Sequence, residues 1–167
     1  VGAFITSQGN SKIIQTNDGG YIFVGNTFGV NAYVCLIKTN DIGDTMWTKT
    51  FGGTGAWFGR SLQTTMDGGC IIIGHSFSME AENIDICLIR TNENGDTLWT
   101  KTLGGLGYDG GYSVSRALGS EEAYVITGGG SSFGPNVSDV YLVKVIDNGD
   151  ILWTKTFAQG NKDFGNS

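Results

Sequence analysis

Proline and histidine each occur once in the 167 residues, and charged side chains make up only 16% of them. Each scarcity excludes something. A chain with ten lysines and arginines and a net charge of −6 has no basic face to neutralise phosphates, which argues against nucleic acid as a partner. No apolar run reaches the roughly 18 residues of a membrane-spanning helix. The three cysteines, Cys35, Cys70 and Cys87, are an odd number, and that speaks against a disulfide framework. The 28 glycines do not form a collagen or linker pattern, because apolar runs separate them. Threonine and asparagine fill the polar positions, and the length suits one domain with a real core.

What is abundant is repetition. The phrase GDTMWTKT at 43–50 returns as GDTLWTKT at 95–102 and as GDILWTKT at 149–156. A Gly-x-Ser recurs as Gly9-Asn10-Ser11, Gly59-Arg60-Ser61, Gly111-Tyr112-Ser113 and Gly165-Asn166-Ser167, an average of 52 residues apart. Periods of about 20 to 50 residues mark stacked units. Asp18-Gly19-Gly20 and Asp67-Gly68-Gly69 then lead into YIFVG and CIIIG; the third copy drifts to Glu121-Glu122-Ala123 before YVITG. A second apolar run follows in each copy, VCLIK at 34–38, ICLIR at 86–90 and VYLVK at 140–144. Tight turns rich in Asn, Asp and Gly connect it to the repeated phrase.

Runs of four apolar residues bounded by Gly and Asn are too short for globular helices. Their Val, Ile and Tyr content predicts strands. Both parities are apolar, so these two strands are buried on both faces. The WTKT strand is half polar and carries a lysine, which suits a solvent-facing edge. Each unit therefore reads as four strands in meander order. A starts at Gly-x-Ser, B is the YIFVG type, C the VCLIK type and D the WTKT type. This is an all-β chain of three four-stranded antiparallel blades of a β-propeller, an open ring unless it oligomerises. The blades span 9–51, 59–103 and 111–157, with 158–167 leading into a further strand A. A β-trefoil also has three repeats of this length, but its units lack two fully apolar central strands.

The repeat resembles the bacterial β-propeller repeats of secreted and cell-surface proteins. The matching residues are Gly104-Gly105-Leu106-Gly107-Tyr108-Asp109 with Ser113, Asp18-Gly19-Gly20-Tyr21, and Asp85-Ile86-Cys87-Leu88-Ile89-Arg90. The spacing of Gly43 to Trp47, Gly95 to Trp99 and Gly149 to Trp153 is similar to that of tryptophan-docking quinoprotein-type blades. The resemblance implies an extracellular or cell-surface location and a Trp that packs between neighbouring blades. It departs at Glu121-Glu122-Ala123. Val1-Gly2-Ala3 aligns with Phe51-Gly52-Gly53 and with Phe157-Ala158-Gln159. Three blades alone leave two apolar faces bare. The expectation is self-association, as a six-bladed dimer or a filament, or completion by the remaining blades of a longer chain.

Chemistry is sparse. His75 follows the strand B glycine, where the other copies have Asn26 and Gly129. Without a recurring partner it reads as a polar rim residue rather than a catalyst. GNSKI, GRSLQ and GYSVS lack the nucleophile-elbow pattern. The Asn92-Glu93-Asn94-Gly95-Asp96 loop has oxygen ligands around a glycine turn, but Lys101 stands where a calcium loop needs its bidentate Glu. Asn136-Val137-Ser138 is a glycosylation sequon that matters only in a eukaryotic secretory setting. Asp44, Asp96 and Asp150 recur with Lys49, Lys101 and Lys155 as edge charges. Lys38, Arg90 and Lys144 end strand C, positioned to hold a neighbouring blade's carboxylate. Trp57, Phe58, Tyr108 and Tyr112 cluster beside strand A and are the candidate ligand-binding residues, since exposed aromatics stack on sugars or a protein partner. No catalytic set, cofactor or metal is expected. The leading expectation is a non-catalytic secreted or surface scaffold or binding platform. A carbohydrate-binding propeller and part of a quinone-dependent dehydrogenase are the alternatives.

Overall fold

The structure, a computed structural model, describes residues 4–6, 12–29, 31–78, 83–119, 122–132 and 139–157. Thirteen strands and no helix occur among them. The first sheet holds β1 (Phe4–Thr6), β2 (Ile13–Gln15), β3 (Tyr21–Phe28), β4 (Tyr33–Thr39) and β5 (Thr45–Phe51). The second holds β6 (Ala56–Thr64), β7 (Cys70–Ser78), β8 (Asn83–Thr91) and β9 (Thr97–Leu103). The third holds β10 (Asp109–Ala117), β11 (Ala123–Gly130), β12 (Asp139–Ile146) and β13 (Ile151–Phe157). The second and third sheets are antiparallel four-strand meanders, and none of the three closes on itself. The first differs only at its leading edge, where β1 and β2 both pair with β3. They occupy the place that one continuous strand takes in the other sheets.

The hairpins between the last two strands of each sheet turn on Gly43, Gly95 and Gly149, whose φ values of 90°, 75° and 82° lie in the left-handed region. A side chain there would strain the turn. The hairpin before β11 departs from its counterparts. Gln15 pairs with Tyr21 and Thr64 with Cys70, whereas beyond Arg116 and Tyr124 the third hairpin adds one more pair, Ala117 with Ala123, before its turn. That is the structural outcome of the drift at 121–123.

Packing follows strand parity. Ile22, Val24, Val34 and Leu36 of the first sheet meet Leu62, Cys70, Ile72 and Ile89 of the second. The second sheet's other face carries Ile71, Ile73, Ile86 and Leu88, which meet Val114, Tyr124, Ile126, Tyr141 and Val143 of the third. These side chains are almost wholly removed from water, each stabilising the fold by roughly 1.5 to 3 kcal/mol. The strands β7 and β8 are therefore buried on both faces. The WTKT strands alternate between half-buried and exposed residues, with Leu98 exposed.

The sheets also converge at one edge. Lys12, beside β2, donates its Nζ to the Val114 carbonyl of the third sheet (3.2 Å) and to Gln63 Oε1 of the second (3.4 Å). Plates stacked in parallel would hold the first and third sheets a full sheet apart. Through Lys12 the leading edges of all three sheets are linked at one place.

Candidate functional site

The sheet-to-sheet seams concentrate the polar chemistry, and both are built alike. At the upper part of the first seam, Gly59 lies against Val24 and Val34; a Cβ on it would come within 2.5 Å of Val24 Cγ2. At the second, Gly111 lies against Ile73 and Ile86, with the same 2.5 Å approach to Ile73. The glycines let the leading strand of one sheet press onto the middle strands of the one before. Asn26 clasps Gly59, donating Nδ2 to its carbonyl (3.2 Å) and accepting its amide at Oδ1 (2.8 Å).

His75 occupies the position of Asn26 at the second seam. It is 8% exposed, so it is a buried seam residue and not a rim residue. The reason is parity: it shares the face of Ile71 and Ile73. Its Nδ1 has no hydrogen-bond partner. Burial pushes its pKa down to about 4, with the nearby Arg60 charge acting in the same direction.

At the lower end each seam carries a tryptophan latch. Trp47 of the first sheet lies on Gly95 of the second, whose Cβ would fall 2.8 Å from its ring. Trp99 of the second lies on Gly149 of the third at 2.9 Å and donates Nε1 to the Asp147 carbonyl (3.1 Å). Beside each tryptophan a lysine crosses the seam, Lys49 to Asp96 Oδ1 (2.8 Å) and Lys101 to Asp150 Oδ1 (3.0 Å). The lysine contacts hold both carboxyls below the ordinary carboxylate range, helped by Asn92 and Asn148 respectively.

Deeper in the second seam, Arg90 is buried and bridges two sheets. It donates Nε to Asp147 of the third sheet (2.7 Å) and Nη2 to Asp67 of its own (3.0 Å), and its Nη1 reaches the Thr91 carbonyl. Burial works against the Arg90 charge, but Asp147 and Asp67 more than offset it. The expected hold on a neighbouring carboxylate thus exists at Arg90. Lys38 instead grips Asp18 of its own sheet at 2.7 Å, and this contact, with Thr16, depresses the Asp18 pKa strongly. Because Lys38 stays within its sheet, a cleft of about 390 Å³ opens at the first seam, lined by Lys38, Asp18, Trp47, Thr65, Glu93 and Asn94 among others. The ammonium is already bound to Thr16, Asp18 and the Thr39 carbonyl.

The four candidate aromatics separate into two pairs. Trp57 packs into the first seam beside Gly52 and Gly53, and its amide donates to the Ala32 carbonyl. Phe58 bridges Phe28 and His75, with ring centroids 6.0 and 5.1 Å away. Tyr108 and Tyr112 lie together over Gly110 on the third sheet. Tyr108 is exposed, and Tyr112, the bulge residue between Gly111 and Ser113, is half-buried. Burial raises the Tyr112 pKa to about 12, with Tyr108 beside it. The sequence suggested one cluster; the structure uses one pair for seam packing and leaves the other at the surface.

Below the tyrosines, Asp85 and Asp109 converge on Gly104. Burial and the neighbouring Asp109 charge raise the Asp85 pKa. Among the described residues no group of three or more acidic, histidine or cysteine side chains is arranged to hold a metal. The three thiols are free and buried. The sequon at 136–138, the Gly-x-Ser copies at 9–11 and 165–167, and the segment 158–167 lie outside the described residues. No known protein family matches the sequence, and no curated protein does.

Proposed function

We propose that the chain is a non-catalytic module of β-propeller blades, a secreted or cell-surface scaffold or binding platform that completes its ring by assembling with further blades. The convergence of all three sheets on Lys12 supports this most directly, because blades radiating from an axis approach one another only at their innermost strands. The repeated seam supports it as well. Each boundary joins the same two faces through the same glycine, tryptophan and lysine positions. Among the described residues nothing covers the corresponding outer face of the first sheet or of the third. Ile13 there is 61% exposed, whereas its counterparts Leu62 and Val114 are fully buried. A ring-completing partner would cover that surface.

Light scattering on the 167-residue chain tests the reading. A particle mass that is a multiple of 17.7 kDa is the expected result. A monomer that stays monomeric at high concentration and binds no hydrophobic dye overturns it.

A second reading, carbohydrate binding, is favoured by one observation: Tyr108 and Tyr112 stand together beside the glycine-rich 104–107 loop. Stacking on a pyranose would use the exposed Tyr108 ring. A glycan array compared with Tyr108→Ala checks it; no binding by the unmodified protein eliminates it.

A further inference from the structure

The two seams within the chain amount to a docking rule, and the two uncovered faces meet its terms. Position by position, Trp153 repeats Trp47 and Trp99, Lys155 repeats Lys49 and Lys101, and Lys144 repeats Arg90. All three sit on the trailing side of the third sheet. Trp153 is exposed at 38%, although its two counterparts are covered by a turn glycine. Phe157 is 53% exposed where Phe51 is 7%. Among the described residues neither Lys144 nor Lys155 has an ion pair.

The first sheet offers the matching half. Gly43 repeats Gly95 and Gly149, but a Cβ there would meet nothing within 4 Å. Asn40 binds Asp44 Oδ2 as Asn92 binds Asp96 Oδ2. On Asp96 the other oxygen takes Lys49; on Asp44 it receives no lysine from among the described residues. Asp41 repeats Asp147, the carboxylate that Arg90 crosses the seam to reach. Tyr21 and Phe23 stand half-buried on the open face, where Cys70 and Ile72 are fully buried.

We infer that the third sheet of one copy docks on the first sheet of a second copy, with Trp153 over Gly43, Lys155 on Asp44 and Lys144 toward Asp41. This rests on the blade reading above and names its partner. The occupant is argued from complementarity: two lysines and an uncovered tryptophan on one face, and two aspartates and an uncovered turn glycine on the other. Propellers close with roughly four to eight blades. Two copies of the 167-residue chain would supply six, within that range, held by two such contacts related by a two-fold axis.

Sedimentation velocity on the 167-residue chain tests this with charge exchange. Lys155→Glu and Asp44→Lys should each weaken the dimer by about tenfold, since each alters both contacts and exposed pairs are individually small. The double variant should recover the original affinity, which mere unfolding would not do. Trp153→Ala should weaken the dimer by about a hundredfold or more, as a central aromatic anchor does. Its circular dichroism should be unchanged, because Trp153 lies on the exposed outer strand of its own sheet and belongs to neither core cluster. A dimer indifferent to all four variants overturns this inference and leaves the assembling module standing. A chain that is monomeric at every concentration overturns both. Mass that grows without limit overturns the two-copy ring.

Discussion

Replacing His75 by asparagine probes the seam rule in its most quantitative form. The buried imidazole has a pKa near 4 against an ordinary 6.5. The unfolded chain therefore binds a proton that the folded chain refuses. Stability is fully present above the unfolded value of 6.5 and is lost as pH falls toward 4. Each tenfold difference in proton affinity is worth about 1.36 kcal/mol, so the loss by pH 4.5 is on the order of 2 to 3 kcal/mol. Asparagine does not titrate, so this loss disappears. It also matches Asn26, and its amide would face Gly111 as that of Asn26 faces Gly59. Two new hydrogen bonds contribute about 1 kcal/mol each, offset by the lost ring contact with Phe58 of roughly 0.5 to 1.5 kcal/mol. Near pH 7 the variant should lie within about 1 kcal/mol of the parent. At pH 4.5 it should be more stable by about 2 to 3 kcal/mol. Urea unfolding followed by tryptophan fluorescence at several pH values measures both. Carboxylate titrations are common to the two proteins and cancel in the difference. Parallel stability curves between pH 4.5 and 7 would refute this role for His75.

Other perturbations test the remaining contacts. Arg90→Ala leaves Asp147 and Asp67 without their cation and opens a cavity, so it should cost about 3 to 5 kcal/mol in urea unfolding; Arg90→Lys, the residue used at position 38, should cost clearly less. Gly111→Ala drives a methyl against Ile73 Cδ1 and Cγ1 and against Ile86 Cγ2 and should destabilise by about 1 to 3 kcal/mol in urea unfolding. Burial raises all three thiols, Cys70 and Cys87 to about 12, so a thiol reagent at pH 8 should label none of them in the folded protein and all three in denaturant.

Strand parity carried most of what the sequence disclosed. Four-residue runs apolar at both parities announce strands covered on both sides, and β7 and β8 are covered in that way. The resemblance to tryptophan-docking blades, carried by the Gly95-to-Trp99 spacing, implied a tryptophan between neighbouring units; the ring of Trp47 lies on Gly95 and that of Trp99 on Gly149. His75 was legible too, because it continues the face of Ile71 and Ile73 two residues on. Comparison with Asn26 and Gly129 drew attention to polarity rather than to side-chain direction. The aromatic residues were misleading for a different reason. A bulge between Gly111 and Ser113 places Tyr112 outside the strand alternation. Trp57 and Phe58 lie in the regular part of β6 and are drawn into the seam. The bulge falls at the middle residue of the recurring Gly-x-Ser, at Arg60 in β6 and at Tyr112 in β10, a coincidence that only the register reveals.

A crystal structure of the self-assembled 167-residue chain tests most directly the claim that these sheets are blades joined by one docking rule. The expected result is β2, β6 and β10 of each copy around a common axis, with Trp153 of one copy on Gly43 of the next. An assembly joined edge to edge through β5 or β13, with Trp153 still open to solvent, would contradict it.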